Sequence, residues 1–300
     1  MPQEPSTTSC FAIGLLRLDD CRVIPRYFVV AESAHEIQNP TSREKLLELG
    51  RRLGLGPDSR VLDIASGRGG PALLLAHELG CHLRGIEIAP EFHSVAVERA
   101  AAAGLAERVS FELGDAASAT FELEAYDAAL CLGASFVFGD LGETVDALAR
   151  AVRPGGYVAV GEPYWRRLPL PDDYEDRRQP WTTLEGTVMI FETSGLPVVS
   201  VIASSEDDWD RYESLHWQAV ERWLSANRDD RDTADIWIAS RAVQAQLPAS
   251  PARVPRLGDL RRLEAPLELR QRATFATHTG GSRRAAGTPA RAECRGGPSS

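Results

Sequence analysis

Residues 60–72 read Arg60-Val-Leu-Asp-Ile-Ala-Ser-Gly-Arg-Gly-Gly-Pro-Ala72. The apolar stretch 61–65 is a short buried strand, and it runs into a glycine-rich turn that opens a helix over 71–79. Such a turn lets backbone approach a ligand closely and points helix N–H groups at it. Gly67, Gly69 and Ala72 also satisfy the G-x-G-x-x-[GA] spacing of dinucleotide sites. Asp63 argues against that reading. An acid at the strand end repels a pyrophosphate and attracts a cationic amino-acid ligand.

Outward from this stretch the chain alternates. Strands are predicted at 83–88, 109–112, 128–132 and 157–161, and helices at 91–103 and 143–152, the βαβα signature of an open parallel sheet with helices on both faces. Before it, 44–53 carries apolar residues at helical spacing, preceded by Asn39-Pro40-Thr41 and stopped by Gly54 and Gly56. After it come a charged, Pro-rich segment at 165–180, a helix at 182–193, a sixth strand at 198–204 and helices at 209–226 and 233–246. From Leu247 the chain is rich in Arg, Ala, Pro and Gly without a regular period, and reads as disordered.

Four further features fall at intervals matching the glycine turn. Glu87 ends the second strand, where a carboxylate can accept ribose hydroxyls. Asp115 follows the third strand, where it can take an adenine amino proton. Cys131-Leu-Gly-Ala134 closes the fourth, and Arg153-Pro-Gly-Gly156 turns into the fifth. Together these residues resemble the class I S-adenosylmethionine (SAM)-dependent methyltransferases. The 28–40 segment with Ala-Glu-Ser-Ala-His-Glu-Ile-Gln-Asn-Pro, Gly161-Glu-Pro-Tyr-Trp-Arg166 and Trp209-Asp-Arg-Tyr-Glu213 look like an uncharacterised bacterial branch acting on small molecules.

The resemblance implies an α/β fold: a Rossmann-like, doubly wound, mostly parallel seven-stranded sheet in three layers, its last strand antiparallel, under an N-terminal helical cap. It implies SAM as cofactor. Asp63, Ala65, Ser66, Gly67 and Gly69 would hold the methionine end, Glu87 and Ile88 the ribose and adenine edge, Asp115 and Ala116 the adenine, and Leu132 and Gly133 the pocket floor. Ala65 stands where the superfamily usually has Gly. Tyr164 and Trp165, after the fifth strand on the ligand edge of such sheets, are the substrate candidates. No catalytic residue is assigned; Tyr164 and the cap residue His35 are the candidates, although an exposed cap histidine is the simpler reading of His35. The aromatic faces of Tyr27, Phe28 and Trp165 could meet a sulfonium. Trp209, Tyr212, His216 and Trp223 read as a packing stripe.

The implied organisation is a loose extension at 1–25, a helical cap at 26–56, the SAM-binding domain at 57–247 with an insertion at about 165–197, and a basic tail at 248–300. The family's closing strand, an apolar run containing Gly-Trp-Ala, is not visible after Gln246. Its absence suggests an unpaired sheet edge and a non-catalytic SAM-binding alternative. It also suggests that the tail is out of frame, because with suitable codons 253–266 can be read one nucleotide later as a strand containing Gly-Trp-Ala. A dinucleotide oxidoreductase or epimerase is disfavoured because Lys45 is the chain's only lysine, so no Tyr-x-x-x-Lys pair exists.

Composition narrows the partners. Of 300 residues, 43% are hydrophobic and 25% charged, ordinary for a globular chain. The net charge of −10 averages a +7 stretch over 241–300, with eleven Arg against four acids, and −17 on the rest. An acidic body repels phosphate backbones, so nucleic acid is not the expected partner. No apolar run approaches a membrane span. Five scattered cysteines without a C-x-x-C pair and six dispersed histidines give no disulfide framework and no metal-ligand spacing. A cytoplasmic enzyme with a small-molecule acceptor is expected; its oligomeric state is not specified.

Overall fold

The computed structural model describes residues 24–166, 168, 181–246 and 272–279, with 244–246 and 272–279 as backbone only. Seven strands form one sheet: β1 (Arg60–Ile64), β2 (His82–Glu87), β3 (Val109–Leu113), β4 (Tyr126–Leu132), β5 (Val152–Tyr164), β6 (Val198–Ala203) and β7 (Arg272–Thr279). Their order is β3-β2-β1-β4-β5-β7-β6. The first five run parallel, and β7 lies antiparallel between β5 and β6. Reversal of strand order on either side of β1 brings the C-terminal ends of β1, β2 and β4 together at one crevice, where ligands bind in doubly wound sheets.

β1 is buried on both faces, with Val61, Leu62, Asp63 and Ile64 all enclosed, so it reads as a continuous apolar run with one acid at its end. Helices α3 (Gly70–Leu79), α4 (Pro90–Ala102) and α5 (Leu141–Ala151) cross between strands. Two cores result, one on each face. Leu62, Ile64, Ile86, Cys131 and Leu148 lie in one, and Leu46, Leu49, Leu75, Leu83 and Leu130 in the other. Leu46 and Leu49 come from α2 (Arg43–Arg52), and each buried leucine contributes about 2 kcal/mol relative to exposure. α2 thus belongs to the main core. α1 (Arg26–Ala31) instead packs with α7 (Glu206–Ala226) and α8 (Thr233–Gln246) through Tyr27, Val30, Val220, Ile236 and Val243. α6 (Leu184–Thr193) precedes β6.

Two attachments fix this arrangement. Ser205 and Asp208 form a reciprocal capping box at the start of α7, and Lys45 of α2 donates to the same Asp208 carboxylate. Between α1 and α2, residues 36–39 run as a strap over the glycine turn. A Cβ on Gly70 would lie 2.0 Å from the Glu36 carbonyl oxygen, a backbone atom that cannot rotate away. Gly70→Ala is therefore expected to cost about 1–3 kcal/mol. Thermal denaturation checks this; an unchanged midpoint would contradict the strap's close seating.

Two expectations for the C-terminal region change. The backbone of 272–279 is a strand, so β5 is paired on that side and the outermost strand is β6. Arg-Ala-Thr-Phe-Ala-Thr-His-Thr has little aliphatic content but is rich in Thr with one Phe, residue types that suit a strand. The expected apolar run hid it. The stretch 253–266, with its out-of-frame reading, and most of 165–180 lie outside the described residues.

Candidate active site

At the end of β1 the chain turns sharply. Ala65 has φ +55°, Gly67 +56° and Gly69 +74°; the first is an L-residue in the left-handed region, where glycine would be free of strain. The turn is pinned by Ser66 N–H donating to Ile86 O (3.1 Å) and Gly69 N–H to Ser66 O (2.9 Å). Glu87 underpins it, accepting from Gly67 N–H at Oε2 (2.7 Å) and from Ala89 N–H at Oε1 (2.8 Å). Burial pushes the Glu87 carboxyl up, against these backbone N–H groups.

Asp63 is 2% exposed, and burial together with the nearby Glu87 pushes its carboxyl to about 7. Neither Asp63 Oδ2 nor Ser66 Oγ has a hydrogen-bond partner within the protein, although both are buried. Such groups are costly unless a ligand completes them. An acid pair beneath a left-handed turn thus suits a ligand carrying ammonium and hydroxyl groups. The ordinary lone-pair capacity of Glu87 also leaves its two oxygens able to accept further bonds.

The other expected residues follow along the same edge. Register pairs Ile64 with Ile86 on one side and Cys131 on the other, and Leu132 with Gly161. Asp115 lies after β3 and uses Oδ1 for Ala117 N–H (3.0 Å) and Oδ2 for Ser118 Oγ (3.4 Å). Ala116 is buried and Ile88 half-buried. Gly133 has φ +84° and donates its N–H to Gly161 O at 2.9 Å.

The strap supplies two residues that sequence spacing did not assign. Gln38 Oε1 accepts from Arg68 N–H (2.6 Å), and Asn39 Nδ2 donates to Leu132 O (2.9 Å). They close over the turn from outside the strand–helix repeat, so no motif interval marks them. Arg68 in turn donates to Glu32 O (3.0 Å), and Arg99 to Arg68 O (2.8 Å).

A third unassigned residue is Glu162, near the C-terminal end of β5. Burial pushes its carboxyl to about 7, against the opposing hydrogen bond from Ser135 Oγ. Tyr164 and Trp165 are both buried, and the Trp165 ring lies 5.3 Å from that of Trp181. Tyr27 and Phe28 pack among α1, α7 and α8, which places them in a helical core and not among the strand-end residues.

His35 is not the exposed cap residue that was expected. It is 2% exposed, and its Nε2 lies 2.9 Å from the Tyr212 carbonyl. With Glu32, Glu213 and His216 it forms a buried polar cluster. The stripe on α7 is accordingly half polar. Burial opposes charge on His216, but Glu32 and Glu213 outweigh it and push the imidazole to about 9.

Comparison with known proteins agrees with this fold. Residues 61–156 match the methyltransferase domain family. The chain is 37% identical over 218 residues to YjhP of Escherichia coli (strain K12), an uncharacterized protein, covering 71% of this chain and 88% of that one. A SAM-dependent methyltransferase from Geobacter sulfurreducens, solved with S-adenosylhomocysteine, superposes with TM-score 0.75 at 31% identity, covering 87% of this chain and all of the other. An arsenite methyltransferase of Halobacterium salinarum is 27% identical over 192 residues, 59% of this chain and 49% of its own.

Proposed function

Because the chain belongs to the SAM-dependent methyltransferases, we propose that its methyl acceptor is a small molecule held beside the C-terminal ends of β4 and β5, beneath the strap. The observation that carries the reading is the convergence of Asp63, Ser66 and Glu87 under the glycine turn, with two buried oxygens left unpartnered. Asp63 and Ser66 would hold the methionine end, and Glu87 the ribose. Asp115 and Ala116 would meet the adenine, and Gly133 would leave room at the floor.

SAM supplies a methyl group on a positively charged sulfur, already activated for displacement. The chain's own contribution is binding, alignment and exclusion of water. Gln38 and Asn39 tie the strap to both sides of the crevice and would shield it from solvent. Glu162, poised near 7, is suited to take a proton from an acceptor that is not already an anion. Tyr164 and Trp165 would supply apolar walls.

Proteins are poor acceptors for a crevice covered by such a strap, and one relative, an arsenite methyltransferase, is named for a very small acceptor. Incubation with methyl-labelled SAM and separate metabolite, protein and RNA fractions tests the proposal. Label is expected in the metabolite fraction. Label confined to protein or RNA would overturn the acceptor class.

A further inference from the structure

The buried cluster between the cap and α7 has features the methyl-transfer site does not use. Glu32 and His35 come from the 3-10 turn after α1, and His216 from the middle of α7. Their ligating atoms lie within 4.8 Å of one another, the one such group among the described residues. All three are less than 7% exposed.

Each imidazole is oriented from outside. The Tyr212 carbonyl accepts from His35 Nε2–H, so in the neutral imidazole Nδ1 carries the lone pair; it lies 3.4 Å from Glu32 Oε2. On His216, Nδ1 lies 3.7 Å from Glu213 Oε2 and Nε2–H donates to Glu32 Oε1 at 2.8 Å, so a metal ion at Nε2 takes the place of that proton. Tyr212 Oη donates to Glu32 Oε1 at 2.7 Å.

With His35 neutral, its Nδ1 and Glu32 Oε2 face one another as two acceptors; neither has a hydrogen-bond partner within the protein. Such a contact is unfavourable unless a proton or a metal ion lies between them. The 3.4 Å separation also matches a tetrahedral zinc site, where bonds of about 2.0–2.1 Å put neighbouring ligands about 3.4 Å apart. The Tyr212 carbonyl on His35 Nε2 is the kind of outer acceptor that fixes metal-bound histidines, and the Glu213 carboxylate lies 3.7 Å from His216 Nδ1.

We propose that Glu32, His35 and His216 form a binding site for a divalent transition-metal ion of zinc type, oriented by the Tyr212 carbonyl and Glu213. The ion joins α1 and its turn to α7. Its ligands come from the turn after α1 and from α7, not from the strand ends. His216 is far in sequence from Glu32 and His35, which is why spacing alone gives no metal signal.

The test uses tag-free, chelator-stripped full-length protein at pH 8, titrated with Zn2+ by calorimetry and assayed for bound metal after dialysis. Wild type is expected to retain one equivalent and to gain thermal stability with added Zn2+. His35→Asn and His216→Gln should each lower Zn2+ affinity at least tenfold, and the double variant should lose the equivalent. Cobalt substitution should give a visible tetrahedral spectrum in wild type only. S-adenosylhomocysteine binding retained by each variant shows that it is folded and separates this result from failure of the cofactor site. Less than a tenth of an equivalent in wild type, or equal uptake by the double variant, would overturn the proposal.

Discussion

Asp63→Asn is expected to weaken SAM binding more than tenfold while raising the thermal stability of the cofactor-free protein. Both effects follow from one buried carboxyl. Its pKa is about 7 in the fold against an ordinary 3.8. Between those values the folded chain holds a proton that the unfolded chain has lost, so stability falls as pH rises through this window. By about pH 8 the accumulated cost is on the order of 4 kcal/mol. An amide is never charged and escapes it. A cationic ligand needs the ionised form, so wild-type SAM affinity should rise with pH through about 7, and the Asn variant should lack that component. Melting curves and binding isotherms at pH 6 and 8 check both halves. A variant that is less stable and binds SAM normally would contradict them.

Glu87→Ala is expected to damage the turn itself. Its two oxygens accept from Gly67 N–H and Ala89 N–H, and leaving a buried donor without a partner costs about 1–3 kcal/mol each. The loss of a hydroxyl acceptor for the ribose adds a further weakening of SAM binding, again more than tenfold. Glu87→Gln retains an amide oxygen that can keep one of the two N–H groups, so it should fall between wild type and Ala in denaturant midpoint. Equal midpoints for all three would show that Glu87 does not support the turn.

The two variants are informative together because they move stability in opposite directions. Asp63 carries an electrostatic cost in the apo fold that the cofactor's charge would offset. Glu87 instead completes a hydrogen-bonded turn before any ligand arrives. Shared loss of SAM binding with opposite stability changes is therefore not the pattern of general unfolding.

The strand-end residues were legible because the parallel repeat constrains them. Each strand ends at the same edge, so Asp63, Glu87, Asp115 and Leu132 could be placed by interval alone, and register confirms that β1, β2 and β4 are neighbours. Ala65 was marked as the departure from pattern, and it is the L-residue that the turn forces to φ +55°. The strap and the buried cluster obey no such repeat. Gln38 reaches Arg68, and His35 reaches Tyr212, across 30 and 177 positions respectively. A polar histidine in a cap reads as exposed because most are; only the carboxylate and carbonyl groups brought by α7 and the turn make its burial possible. β7 was hidden for a different reason, since its pairing comes from β5 and β6 on both sides and not from an apolar run of its own.

The central claim is that the C-terminal edge of β1 and β2 is the SAM site. Titration calorimetry of SAM into wild type, Asp63→Asn and Glu87→Ala at pH 8, each checked for a cooperative melting transition, tests it most directly. One site per chain in wild type and more than tenfold weaker binding in both folded variants is the predicted result. Unchanged affinity in both variants would contradict the assignment.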